Sequence, residues 1–418
     1  MARNRPSSSA RAPEATGLPG LRGRGFALLL AATAVGFCGF AAVLPLVPLW
    51  ATRGGAGEFG AGSTTTAFML TTVATQIFMP RLLERCGYRW ILPVGCLVMG
   101  APTPLFALTD DLAPLIAVSA VRGVGFGMVT VAGTALAARL VPPAQVGRAT
   151  SYYGLALGLP QVLILPGGVG LALAFGFDTA FWITGLCSVA GAVFSVGIWY
   201  ADGGRNRAVL TGRTRTRVAA PAPPVPLPLL AAPLVLMLLT ASAGAAVSTF
   251  LAIPFEGAAW TVAGALAGYA LGVVIGRGAA GNLYDRFGRT VLLVPGTVAA
   301  AVGVCLVAAA LWSGGDGAAP GAAAVLLVLA GTALLGLGFG AVQNETLTVM
   351  LDRAGPAGVG RASAVWNMGY DGGTGAGAMV IGMLIQMLGY GPAFALAAAA
   401  LVAALPLART RSRSRTAP

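Results

Sequence analysis

The sequence contains neither lysine nor histidine, and its 26 basic residues are all arginine. A Walker-type phosphate loop needs its lysine, so this chain carries none. Lysine Schiff-base chemistry, histidine acid–base catalysis and histidine metal ligation are excluded with it. Cysteine is sparse: Cys38, Cys86, Cys96, Cys187 and Cys305 form no C-x-x-C pair, and four of the five lie in apolar runs. They read as small packing residues, and neither a metal site nor a cofactor is expected. Charge is scarce too, with 9% of residues charged, against about 25% in soluble proteins.

What is present is apolar. Hydrophobic residues make up 57% of the chain, in runs close to the roughly 20 residues that a bilayer-spanning helix needs. Such a chain cannot cover itself with polar surface, so the lipid bilayer is its expected solvent. The net charge of +13 does not point to nucleic acid, because the arginines sit in short gaps between apolar runs. Residues 1–24, rich in Arg, Ser, Pro and Gly, read as a disordered cytoplasmic tail. The run that follows is too long for a signal-peptide core of about 7–15 residues.

The expected fold is an all-α membrane protein with 12 transmembrane helices in two parallel six-helix repeats. Spans fall near 25–50, 62–80, 90–108, 113–139, 150–175, 179–200, 229–254, 258–281, 290–313, 319–350, 360–388 and 391–408. An N-terminal bundle then covers 25–200 and a C-terminal bundle 229–408. Between them, 201–228 holds five arginines and a Pro/Ala stretch and reads as a cytoplasmic linker. Residues 409–418 form an Arg-rich cytoplasmic tail.

Arginine sets the orientation. With the N-terminus inside, 23 of the 26 fall on the cytoplasmic side. Arg53 falls outside, and Arg122 and Arg277 lie within helices. The outer loops hold Glu58, Asp110, Asp111, Asp178, Glu256 and Asp316. Both termini are therefore expected in the cytoplasm, and the protein in the plasma membrane. Tryptophans 50, 90, 182, 199, 260 and 312 sit near helix ends, as an interfacial belt requires.

The halves repeat. Pro80, Glu84, Arg85, Gly87 and Arg89 follow the second span, and Gly281, Asp285, Arg286, Gly288 and Arg289 follow the eighth, 201 residues later. Parallel six-helix halves place a substrate site near the midplane between them. The second copy, with Leu283, resembles the loop pattern G-x-L-x-D-R-x-G-R-R of the major facilitator superfamily. The first copy departs from it, with Pro80 for Gly, Glu84 for Asp and Tyr88 for Arg. Arg122, Gly123, Gly125 and Gly127 resemble the family's fourth-helix segment R-x-x-x-G-x-G. Gly154, Gly158, Pro160, Pro166, Gly167 and Gly168 loosely resemble the fifth-helix motif of its drug–proton antiporters.

The resemblance implies a gate at Gly281, Asp285, Arg286, Gly288, Arg289, Glu84 and Arg85, where loop charges hold the cytoplasmic side shut. Arg122 is expected to face the interior of the first bundle, since a charge facing lipid is expensive. Arg277 is close enough to the interface to snorkel. Of the 13 acids, Glu345 and Asp371 alone remain within spans. With no His or Lys, Asp371 is the first candidate for proton coupling and Glu345 the second, with Arg122 beside them. Gln343, Asn344, Trp366, Asn367 and Tyr370 are candidates for the substrate cavity, and Asn367 shares a helical face with Asp371.

A catalytic constellation is lacking, so no enzyme is expected. The residues and the resemblance together suggest a monomeric secondary transporter whose partners are protons and a small-molecule substrate. Its expected work is proton-coupled efflux of small amphipathic compounds such as drugs or natural products. The alternative is proton-coupled uptake of a sugar, organic acid or metallophore.

Overall fold

A computed structural model describes residues 19–142, 145–204, 207–211, 226–313 and 321–409. Among them the regular structure is helical throughout. The long elements are α1 (Arg24–Arg53), α2 (Glu58–Gly100), α3 (Leu112–Arg139), α4 (Val146–Phe175) and α5 (Phe177–Tyr200). A short α6 (Arg207–Leu210) precedes α7 (Leu227–Phe250), α8 (Ala259–Phe287), α9 (Leu293–Ser313), α10 (Ala322–Leu388), α11 (Tyr390–Ala403) and α12 (Leu405–Ala408). Nine segments of the described residues are long and apolar enough to cross a membrane. The chain is a multi-pass membrane protein.

Two elements are longer than expected, and each folds back on itself. The 43 residues of α2 include one non-helical residue, Gly87, at φ 68°. Phe68 and Met99 would lie about 46 Å apart along a straight helix. Both instead touch Arg122: the Met99 carbonyl accepts from its Nε at 3.0 Å, and its guanidinium carbon lies 5.7 Å from the Phe68 ring. The chain therefore reverses at Gly87. The 67 residues of α10 break likewise at Gly355, φ 65°. There Trp366 Nε1 donates to Thr346 Oγ1 at 3.0 Å, and Phe339 stacks on Tyr370 at 6.1 Å. Left-handed backbone is strained for any residue with a Cβ, so a single glycine makes each reversal.

These hairpins correct the expected boundaries. The expected spans at 62–80 and 90–108 are the two arms of the first hairpin, which begins at Glu58 and ends at Gly100, followed by a 3-10 turn at Thr103–Leu108. The spans at 319–350 and 360–388 are joined through helical residues on both sides of Gly355. The span at 391–408 breaks between Ala403 and Leu405. Within the linker, α6 packs its Leu210 carbonyl against Gly87. The rest of it, and the tails at 1–18 and 410–418, lie outside the described residues.

Helices α1 to α5 pack mainly on one another, as do α7 to α11. Small residues let the backbones close in, as where Gly272 of α8 lies against Leu337 of α10. Leu70, Ile77, Leu163, Val193 and Met387 point outward as an apolar belt, and Trp90, Trp182, Trp260 and Trp312 are exposed near helix ends. Trp50 turns inward instead. It donates to the carbonyls of Phe106 and Thr109 and stacks on Phe177 at 4.8 Å.

Candidate functional site

The contact between the two sets of helices is where buried polar groups gather. The α2 arm before Gly87 runs along the α10 arm after Gly355. Gly62 lies against Ala378, Gly375 against Met69, and Thr66 Oγ1 donates to the Gly375 carbonyl at 2.8 Å. Two turns further, Gln76 Nε2 donates to Asp371 Oδ2 at 2.7 Å. At the opposite end of this seam Arg53 pairs with Glu256, the Phe59 N–H donates to Gln386 Oε1 at 3.3 Å, and Tyr390 OH donates to Glu58 Oε1 at 3.3 Å. A second seam joins α4 to α8 at Gly158 and Val274.

Asp371 is 4% exposed. Its amide partner comes from the other set of helices, 295 residues away in sequence. Gln76 Oε1 is buried without a partner among the described residues. An amide presents both a donor and an acceptor, so it can serve a carboxylate in one orientation and a protonated acid in the other. Asn367, one helical turn before Asp371, does not reach it: it is exposed and donates to the Ser363 carbonyl of its own helix at 2.8 Å.

Tyr370 continues a ladder of near-parallel rings. Tyr269 stacks on Phe339, Phe339 on Tyr370, and Tyr370 on Trp366, each with centroids 6.1 Å apart. Offset stacks of this spacing are favourable and rigid. Tyr269 and Phe339 gave no sign in the sequence beyond being aromatic within apolar runs.

Arg122 is 3% exposed and faces the interior of its set of helices. Its Nε donates to the Met99 carbonyl and to Thr103 Oγ1, both at 3.0 Å, and one terminal nitrogen donates to the Gly39 carbonyl at 3.5 Å. Phe68 and Phe106 flank it, at 5.7 and 5.6 Å. Thr64, Thr65 and Ser119 join it around a small cavity between α1, α2 and α3. No carboxylate pairs with it among the described residues.

Glu345 is fully buried and holds another element in place. Its Oε1 accepts the N–H groups of Val291 and Leu292, both at 2.8 Å, and so caps the start of α9. A carboxylate there satisfies orphan donors and complements the helix dipole. Gln343 is buried and Asn344 half-buried beside it.

The loop motif divides in the same way. Gly288, at φ 62°, ends α8 in the left-handed conformation, and Gly87, its repeat equivalent, reverses α2 at φ 68°. The second glycine of the motif is thus a turn residue in both copies. Asp285, Arg286, Arg289, Glu84 and Arg85 are exposed and unpaired with each other, while Gly281 is half-buried near Asn344. Near them Tyr284 OH donates to Asp352 Oδ2 at 3.2 Å.

Fold and site together define a helical membrane carrier, with scarce charges held along a seam between two sets of helices. The sequence profile of the Major Facilitator Superfamily matches residues 29–257 and again 253–418, so the chain belongs to that superfamily. It is a transporter rather than an enzyme. No curated protein matches the sequence significantly. Among solved structures, the fold is similar to the nucleoside transporter NupG, at 12% identity and TM-score 0.64, over 92% of this chain and 98% of that one. It is similar to the peptide transporter POT in complex with sulfate, at 14% identity and TM-score 0.69, over 92% and 94%. It is also similar to a bacterial homologue of the human lysosomal transporter Spinster, in an inward-facing and occupied conformation, at 15% identity and TM-score 0.65, over 92% and 93%. At such identities the likeness is one of fold alone.

Proposed function

We propose that this protein is a monomeric, proton-coupled exporter of small amphipathic organic compounds, with Asp371 as the group that exchanges the proton. The single observation that carries the reading is the Gln76–Asp371 hydrogen bond across the seam. A buried carboxyl in a membrane is costly and is a functional candidate by default. Here its one hydrogen-bonding partner belongs to the half that must move relative to it. Protonation of Asp371 removes the charge that Gln76 solvates and so acts directly on the contact between the halves. Export is supported by the Gly/Pro content of α4, which meets α8 at Gly158 and α1 at Gly168.

In this reading each hairpin of α2 and α10 crosses the plasma membrane twice, giving twelve spans in two bundles, 25–200 and 229–408. Both termini and the linker are cytoplasmic. The inter-half hydrogen bonds described above all lie on the Arg53 side of Asp371 or at Asp371 itself. We read this as a carrier closed outside and open to the cytoplasm, the state in which an exporter collects its load. The charges at Asp285, Arg286, Arg289, Glu84 and Arg85 are free to pair when that side shuts.

The test is uptake of 2-naphthalenesulfonate, an amphipathic compound of fixed charge, into inside-out vesicles driven by an imposed pH gradient. Accumulation in wild type and its loss in Asp371→Asn are expected. Asp371→Asn vesicles that still concentrate the sulfonate would remove Asp371 from the mechanism. Gradient-driven accumulation confined to right-side-out vesicles would make the carrier an importer.

A further inference from the structure

Arg277 has no place in the site described so far. It lies ten residues before the end of α8, about 15 Å from Phe287 by helical rise. Successive residues of a helix turn by about 100°, which fixes the direction of each side chain. Gly272 and Gly276 face α10, and Val274 faces Gly158 of α4. Leu271 and Ile275, both half exposed, mark the lipid side. Arg277 falls in the sector between the α10 and α4 contacts, in line with the buried Leu266 and Ala270. This is the inner side of the helix, and yet the Arg277 side chain is exposed. It therefore opens into space between the two sets of helices and does not snorkel along lipid.

No hydrogen bond or ion pair reaches Arg277 among the described residues, and its backbone lies against Gly340 of α10, next to Phe339. A cation in the interior of a membrane protein is normally paired. Arg122, which lacks an acid, donates instead to backbone and hydroxyl oxygens. Arg277 has its donors unspent, aimed into open space, beside the aromatic ladder in which Tyr370 lies between Phe339 and Trp366. A guanidinium fork matches a carboxylate, sulfonate or phosphate, and a flat ring matches an aromatic or conjugated body.

We propose that Arg277 anchors the anionic group of the transported solute, so that the substrate is an amphipathic organic anion whose flat apolar part lies against Tyr370. The proposal rests on the carrier reading but on neither its direction nor its coupling ion. The experiment uses the full-length protein in dodecyl maltoside, an uncharged detergent, and reads thermal stabilisation by 2-naphthoate and by its neutral isostere 2-naphthamide. In wild type, naphthoate should act at a concentration about tenfold lower than naphthamide. Arg277→Gln should erase that preference, and Arg277→Lys, which keeps the charge, should keep part of it. Equal responses in wild type, or a preference that survives Arg277→Gln, would overturn the proposal. So would a naphthoate response abolished by added phosphatidylglycerol, which would assign the arginine to a lipid headgroup. Gradient-driven transport of 2-naphthalenesulfonate separates the two readings. If it persists while naphthoate shows no preference, the anion site alone fails; if it is absent, the exporter reading fails whatever naphthoate does.

Discussion

The two arginines inside the helical body have opposite surroundings. Arg122, in the first set of helices, is buried and donates to three oxygens of its own half, with an aromatic ring on either side. Arg277, in the second set, is exposed and has no hydrogen-bond or ionic partner among the described residues. The two interior acids divide the same way. Glu345 is tied to backbone N–H groups of a neighbouring helix in its own half, whereas Asp371 reaches across the seam. An interior charge whose hydrogen bonds all lie within one half moves with that half as a rigid part. A charge that bonds across the halves, or bonds to nothing, is available to respond to a proton or a solute.

The sharpest way to break this comparison is to neutralise the two acids in turn. Asp371→Asn should cut pH-driven 2-naphthalenesulfonate transport in vesicles by at least about tenfold, with little change in melting temperature. Glu345→Gln should leave transport within about twofold and lower stability by about 1–2 kcal/mol, because it weakens the cap on α9. The reverse pattern would exchange the roles of the two acids.

The arginines give the next contrast. Arg122→Leu strands the acceptors at Met99, Thr103 and Gly39 and should cost about 3 kcal/mol, read as unfolding of the purified protein in detergent. Arg277→Gln should change stability by less than about 0.5 kcal/mol. Comparable losses would mean that Arg277 is as embedded in the structure as Arg122.

A smaller effect is expected at the hairpins. Gly87→Ala forces a Cβ into left-handed backbone beside the Leu210 carbonyl and should destabilise by about 1–2 kcal/mol. Gly170→Ala, in open helical surroundings within α4, should be neutral or stabilise by about 0.5 kcal/mol. The smallest effect is at the closed end. Arg53→Gln removes an exposed ion pair worth about 0–1 kcal/mol. It should raise the outward-open population by no more than about fivefold, as read by labelling of a cysteine placed in the outer cavity.

Much of the fold is legible in the sequence because the bilayer dictates it. Apolar runs must match its thickness, and arginines must stay on one side. The repeat at Gly87 and Gly288 was visible as well, and both residues prove to be left-handed. The continuity of the hairpins was not. Nothing in 81–86 breaks a helix, so the residues between two spans remain helical up to the one glycine that reverses them. The burial of Arg122 and of Asp371 followed from cost alone. Their partners did not, because pairing depends on tertiary contact. Asn367 shares a helical turn with Asp371, but its amide is satisfied by its own helix, whereas Gln76 lies 295 residues away. The single amide of the second span, among hydroxyls and apolar residues, is the signal that would have found it. Arg53 and Glu256 could be placed on the same side of the membrane from charge alone, but not paired.

That pair has an environmental consequence. Both side chains are more than a third exposed, so their attraction passes partly through water and dissolved ions. The Debye length shrinks from about 30 Å at 0.01 M salt to about 8 Å at 0.15 M. In the orientation proposed above, a carrier latched in this way has a built-in dependence on the medium outside the cell. Dilute surroundings tighten the latch and slow the turnover of the empty carrier, and briny ones loosen it, with no dedicated sensor required.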